Sequence, residues 1–431
     1  MSILRSLNTG ASGLRAHSEA MSVTSDNLAN VNTVGYKRSR AVFEDILGRS
    51  IAGAGNVPQA GAGSALAHIE QMWSQGALLT TDSPTDLALS GDGFFVVNGN
   101  AGGTPGNFFT RAGQFHIDNA GKLVNSDGFD LQGYTSNVDG TMGSTLGDLT
   151  VGGGTVPANA TTQSDLAINL DSNSTVPAAW DPANPDSTSN FSTGVTVYDS
   201  LGNARQTTLY FRKTGSNSWE WHAMVDGGEL TGGTAGTPTE GASGTLTFTT
   251  DGALDTETPG ASTWNFVDAT PGQTIAFDFG DAITTDGGTG LAGSTQFAAA
   301  STTNGLSQDG YGAGAVAGIS VASDGEITGV FTNGQRRVLG QVAVADFESV
   351  AGLERAGQNL WTETQASGQA LIGGAESGGR GAIVSGALEQ SNVDIGTEFV
   401  NLITYQRGFQ ANSRVITTAD EMYNELVNLK R

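Results

Sequence analysis

The chain of 431 residues contains no cysteine, which excludes disulfides and thiolate metal sites. Basic residues are scarce too. Only 19 Lys or Arg stand against 43 Asp or Glu, giving a formal net charge of -24. Nucleic acid and anionic membrane both repel such a surface, so neither is expected as a partner. No run of 18 apolar residues exists, so no membrane insertion is expected. After Arg5 no unbroken apolar run precedes His17 and Glu19, so the N-terminus does not read as a secretory signal. If the protein lies outside the cell, it is expected to leave without a cleaved signal peptide. Charge of either sign makes up only 14% of the chain, less than a disordered chain usually carries.

Signs of catalysis are equally sparse. The histidines, at 17, 68, 116 and 222, offer no pair at metal-ligand spacing, and there is no His-Glu-x-x-His motif and no P-loop. Gly310-Tyr-Gly-Ala-Gly lacks the spacing of a dinucleotide loop and reads as a flexible return. Asp127-Gly128 and Asp199-Ser-Leu-Gly-Asn203 resemble calcium loops only loosely and read as turns. No catalytic residue, cofactor or metal is expected, and the protein is not read as an enzyme. Trp219 and Trp221 alternate with Glu220 and His222, which suits either a sugar-binding face or a strand face turned to a core. Lys37, Arg38 and Arg40 form a short basic patch with two readings: a contact for a partner's acidic surface, or a solvated connector with local ion pairs.

What the chain does have is periodicity. In residues 1–28, Leu7, Leu14, Met21 and Leu28 recur every seven positions, and Leu4, Ala11, Ser18 and Ser25 recur in the same register. That is a heptad pattern with small residues on one line of the seam. The helix gives way to Asn27–Tyr36, where Asn and Gly favour turns. Residues 393–430 read as a second helix whose apolar positions alternate four and three apart. Asp394 and Glu398 sit in its first turn and Lys430 and Arg431 in its last, both matched to the helix dipole. Between the helices the period drops to two. Ser90-Gly-Asp-Gly leads into Phe94-Phe-Val-Val97, and Asn333-Gly334 marks a hairpin.

The expected fold is therefore mixed α and β and multidomain, with paired N- and C-terminal coiled-coil helices and nested all-β domains between them. Residues 1–32 and 388–431 form the helical domain, and 33–75 and 373–387 are flexible connectors. Residues 76–150 and 312–372 form an inner β domain, and 151–311 an outer β barrel or sandwich. An assembly interface is expected along Leu7, Leu14, Met21 and Leu28 on the first helix. On the second it runs through Ile395, Phe399, Leu402, Phe409, Ile416, Met422, Leu426 and Leu429.

Several motifs then match a known family. Asn27-Leu-Ala-Asn-Val-Asn-Thr-Val-Gly-Tyr-Lys37 resembles the N-terminal signature of the bacterial flagellar rod and hook proteins. Leu87-Ala-Leu-Ser-Gly-Asp-Gly-Phe-Phe-Val-Val97 and Phe109-Thr-Arg-Ala-Gly-Gln-Phe115 resemble its shared β-domain motifs. Ser385-Gly-Ala-Leu-Glu-Gln-Ser-Asn-Val-Asp394 and Gln406-Arg-Gly-Phe-Gln-Ala-Asn-Ser-Arg-Val-Ile416 resemble its C-terminal signature. Rod proteins are shorter, and the 150–310 insert, with Val195-Thr-Val-Tyr-Asp-Ser-Leu-Gly-Asn203, is similar to the outer-domain motif of the hook branch. Asp346-Phe347 and Gly357-Gln-Asn-Leu360 fit that branch as well, whereas Ser349-Val350 stands where the family often has Asn-Pro.

The resemblance implies a homopolymer with an inner tube of terminal helices lining an export channel, acting as a universal joint that passes torque to the filament. It implies an extracellular location at the hook and transit through the type III export apparatus. Implied partners are the flagellar rod proximally, a hook cap during assembly and hook–filament junction proteins distally. A rod subunit, a secreted adhesin or glycan-binding module and, last, a peptidoglycan hydrolase stay open as other readings.

Overall fold

The computed structural model describes residues 3–47, 61–137 and 141–428. The chain divides into two units. The first is Met1–Gly154 with Val316–Val330 and Arg336–Arg431, and the second is Thr155–Ala315 with Phe331–Gln335. Among the described residues the fold is β-rich, with long helices only near the two ends of the chain.

In the first unit the N-terminal helix, Ile3–Ala29, packs along the C-terminal helix, Ile395–Asn428. The C-terminal helix is started by Asp394, whose Oδ1 accepts the Thr397 N–H at 2.7 Å. Hydrogen bonding by the Thr397 side chain, joined by this N–H, holds the Asp394 carboxyl below its ordinary value.

Strands Ser39–Leu47 and Gly61–Gln71 pair as an antiparallel ladder beside the N-terminal helix. Segment 33–75, expected as a flexible connector, is thus largely a β-ladder in its described part, and residues 48–60 lie outside the described residues. The Ala and Gly side chains of 61–67 are small enough for the strand to approach the helix. A Cβ on Gly63 would overlap Ser12 Oγ, which accepts the Ser64 N–H at 3.3 Å. The second expected connector, 373–387, is also paired. Leu371–Gly374 joins strand Arg336–Asp346, and Ala382–Ser385 joins Leu87–Ser90. Glycine there does not loosen the chain, because Ile383 is buried in the β core.

The β domain of this unit is built around strand Phe94–Ala101, which pairs with Thr104–Thr110, Asp130–Ser136 and Arg336–Asp346. Its Phe-Phe-Val-Val run does not alternate in polarity because both faces are covered. Phe95 and Val97 pack with Phe115, Leu131 and Val344, while Phe94 and Val96 pack with Phe109, Phe347 and Trp361.

The second unit has a six-stranded antiparallel sheet running in sequence order from Phe191–Tyr198 to Gln273–Thr274. A three-stranded sheet places Gln163–Asn169 between Ala276–Asp278 and Thr302–Gln308. Both sheets contribute to one core, with Leu166 and Ile168 meeting Phe211, Trp219, Trp221 and Phe277. Strand Ser218–Asp226 alternates strictly at its start, and Trp219 and Trp221 point into that core, 0% and 2% exposed. The sugar-face reading of these tryptophans is therefore removed. The Asp199–Asn203 segment is a turn closed by the Asp199 carboxylate, which accepts the Leu201 and Asn203 N–H groups and pairs with Arg205 at 2.8 Å.

Candidate assembly site

The two ends of the chain meet in the first unit along a seam of small residues. Gly10, Gly13, Ala16, Ala20, Thr24 and Asn27 are the buried line of the N-terminal helix. This line differs from the heptad positions. Leu7, Leu14, Met21 and Leu28 are only half-buried, and Ser18 and Ser25 are exposed. The reason is close approach. A Cβ on Gly13 would lie 2.8 Å from the Asn412 amide, and one on Gly10 would lie 3.0 Å from Ile416 Cγ1. From the other side, a Cβ on Gly408 would lie 2.6 Å from the His17 ring. Glycines facing each helix thus let the pair approach more tightly than leucines would allow.

On the C-terminal helix the expected residues divide. Leu402, Phe409 and Ile416 are half-buried, whereas Ile395, Phe399 and Met422 are exposed together with Val400, Ile403 and Val415. The Leu426 side chain and all of Leu429 lie outside the described residues. His17, Phe43 and Tyr405 form a ring cluster, with centroids 5.7–6.2 Å apart, joining both helices to the β-ladder. Burial raises the Tyr405 phenol above its ordinary value.

Beyond the seam, polar side chains lock the chain ends together. Asn27, fully buried, donates from Nδ2 to Ser39 O at 2.7 Å, and its Oδ1 accepts the Ser39 N–H at 2.8 Å. Its Nδ2 also reaches Glu398 Oε2 on the C-terminal helix at 3.3 Å, and Glu398 Oε1 lies 3.5 Å from Arg38. Asn392 accepts the Arg38 N–H at 2.7 Å and donates to Met72 O and Ser74 O.

Next to this lies a buried ion cluster. Lys37 Nζ is 2.5 Å from Glu389 Oε1, and Arg111 Nη1 is 3.3 Å from Glu389 Oε2. Lys37 also donates to Ser74 O, and Glu389 accepts the Gly76 N–H. Burial holds both Lys37 and Arg111 below their ordinary values, against the attraction of Glu389. Gly35 makes the loop possible. Its φ is +69°, its N–H donates to Glu389 O at 2.7 Å, and a Cβ there would sit 2.6 Å from the Arg111–Ala112 backbone.

The basic patch is thereby revised. Lys37 is neither solvated nor available to a partner, Arg38 is half-buried against Glu398, and only Arg40 is exposed, paired with Glu70. Sequence reasoning passed over Glu389, Arg111, Asn27 and Glu398 as site residues. No local pattern marks them, because each finds a partner across a long stretch of sequence. Among the described residues no helix is long and apolar enough to cross a membrane.

The chain resembles known proteins along its length. Four family descriptions match it in order: Flagella basal body rod protein over residues 7–37, Flagellar hook protein FlgE/F/G D1 domain over 88–175, Flagellar basal body protein FlaE D2 domain over 169–311, and Flagellar basal body rod FlgEFG protein C-terminal over 384–429. Flagellar hook protein FlgE of Borreliella burgdorferi is 35% identical, over 99% of this chain and 100% of its own length. Flagellar hook protein FlgE of Salmonella typhimurium is 33% identical, again over 99% and 100%. The crystal structure of flagellar hook protein FlgE2 of Helicobacter pylori aligns at 16% identity and a TM-score of 0.49, covering 72% of this chain and 100% of that one.

Proposed function

The chain belongs to the flagellar hook protein family, and from that premise we propose that its paired terminal helices are the element through which copies assemble. It is a structural subunit of the flagellar hook, a component of the flagellar polymer, and its role is mechanical and not catalytic. One observation carries the proposal: the C-terminal helix packs on the N-terminal helix yet leaves Ile395, Phe399, Val400, Ile403 and Met422 exposed, each about half or more. An apolar face of that extent on a secreted subunit needs a cover. In a homopolymer the helices of neighbouring copies supply it and complete a coiled-coil seam along Leu7, Leu14, Met21 and Leu28.

The polymer is a hollow tube with the helices innermost. The subunit travels through the type III export apparatus, polymerises beneath a cap, and joins the rod proximally and the junction proteins distally. The tube serves as a universal joint. Electron microscopy of basal bodies from a strain lacking this gene tests the reading. Complete rods without hooks are the expected result. A truncated rod or a normal flagellum would overturn it.

A further inference from the structure

Three motifs that the helix pair does not use line one cleft of the first unit. The Asn30–Tyr36 loop, the Phe109–Phe115 motif and Gly357-Gln-Asn-Leu360 bound a cleft of about 410 Å³. Its rim is a hairpin turn between strands Glu354–Gly357 and Leu360–Thr362. Gln358 and Asn359, the central pair, have φ of 54° and 58°. Such a turn is ordinarily filled by Asn, Asp or Gly. Asn359 conforms and is pinned, donating from Nδ2 to Val34 O at 2.8 Å while its own O accepts from Thr110 Oγ1 at 2.9 Å. Gln358 does not conform. It holds a long side chain in the left-handed region, exposed and without a hydrogen bond in the monomer. Gln114, also lining the cleft, is exposed in the same way. Arg355 lies 5.4 Å over the Tyr36 ring and 5.5 Å over Trp361, with one edge 3.9 Å from Asp26 and the guanidinium still partly open to solvent. Backbone strain beside a preformed polar cleft marks a place where the strained side chain is used.

We propose that this cleft docks an extended segment of a second copy of the chain, with Gln358 and Gln114 bonding its backbone and Arg355 taking an acidic side chain. The inference rests on the hook-subunit reading, since in a homopolymer every cleft meets the same neighbour. Amide side chains offer both a donor and an acceptor, which suits the alternating N–H and C=O groups of an extended strand. A chain with 43 Asp and Glu residues supplies acids for Arg355.

Photo-crosslinking in assembled hooks tests it. Benzoylphenylalanine replaces Gln358, and separately Gln114, and isolated hooks are irradiated. Dimers whose linked peptide belongs to a second copy are expected from both positions. Hooks that form but give only links within one chain, or links to a different protein, would overturn the docking site and leave the hook-subunit reading intact. Wild-type protein missing from isolated hooks would sink both. The Gln358→Gly variant provides a second arm, because it relieves the turn while deleting the amide. The monomer is expected to melt at a higher temperature while the yield of shear-resistant hooks falls severalfold. Unchanged hook yield would overturn the proposal.

Discussion

Lys37 and Glu389 stand 352 positions apart in the chain and meet at 2.5 Å with both side chains withdrawn from water. Arg111 shares the carboxylate, so two buried cations converge on one buried anion, with Asp92 adding weaker attraction to both. Removing a member of a buried pair leaves an uncompensated charge, which costs far more than the pair is worth against an apolar replacement. Glu389→Gln strands both cations and is expected to cost about 3–5 kcal/mol. Lys37→Met leaves Glu389 and Arg111 matched one to one and is expected to cost clearly less. Urea unfolding followed by the fluorescence of Trp73 and Trp361 measures both. Equal losses would mean that Arg111 is not held by Glu389.

Gly35 gives a sharper test of the loop that places Lys37. At φ +69° a side chain is strained, and here it also strikes the Arg111–Ala112 backbone. Backbone cannot rotate away as a side chain tip can. Gly35→Ala is expected to cost roughly 2 kcal/mol or more. Limited trypsin digestion reads the consequence directly, because Lys37 is buried in the native protein. Rapid cleavage after Lys37 or Arg38 in the variant is expected, and resistance equal to that of the native chain would refute the argument.

The two faces of the C-terminal helix separate folding from assembly. Phe409 is half-buried in the monomer, whereas Met422 is 54% exposed. A charge at either place meets apolar surroundings, but in different states of the protein. Phe409→Asp, and Leu14→Asp on the partner helix, are expected to lower monomer helicity by circular dichroism and to abolish hooks. Met422→Asp is expected to keep monomer helicity and still block hook formation. Normal hooks with Met422→Asp would show that the exposed face is not covered by another copy.

The general plan was readable because periodicity and turn chemistry are local. Heptad spacing announced both helices, Asp394 announced the start of the second, and Asn333-Gly334 announced a hairpin. The line buried between the two helices of one copy differs from the heptad line. Heptad logic favours leucines, yet close approach at Gly13 and Gly408 turns the small-residue face inward and leaves the Leu7–Leu28 line half-buried. Segments 33–75 and 373–387 were likewise read as flexible, yet in their described parts cross-strand pairing orders the backbone regardless of side chain. The Lys37–Glu389–Arg111 cluster had no local signature, since its members lie on three separate segments and only the tertiary fold brings them together.

Glu257 makes the second unit sensitive to pH. Its Oε2 accepts the Phe279 N–H at 2.9 Å, so its carboxyl ties strand Leu254–Trp264 to the segment leaving Ala276–Asp278. Burial pushes its pKa up to about 7, aided by the negative charges of Asp278 and Asp286 and opposed by the Phe279 N–H. In the unfolded chain a glutamate titrates near 4.3. A carboxyl raised on folding binds its proton more tightly in the native state. The stability it contributes is therefore full below about pH 4.3 and is lost as pH rises to about 7. Allowing for solvent screening of a partly exposed group, the loss is on the order of 1–2 kcal/mol. Glu257→Gln keeps an acceptor for Phe279 and removes the titration. Urea midpoints at pH 5 and pH 8, followed by the buried tryptophans 219, 221 and 264, measure the effect. The native chain is expected to lose stability across that interval and Glu257→Gln to lose markedly less. An identical drop in both would place the proton elsewhere.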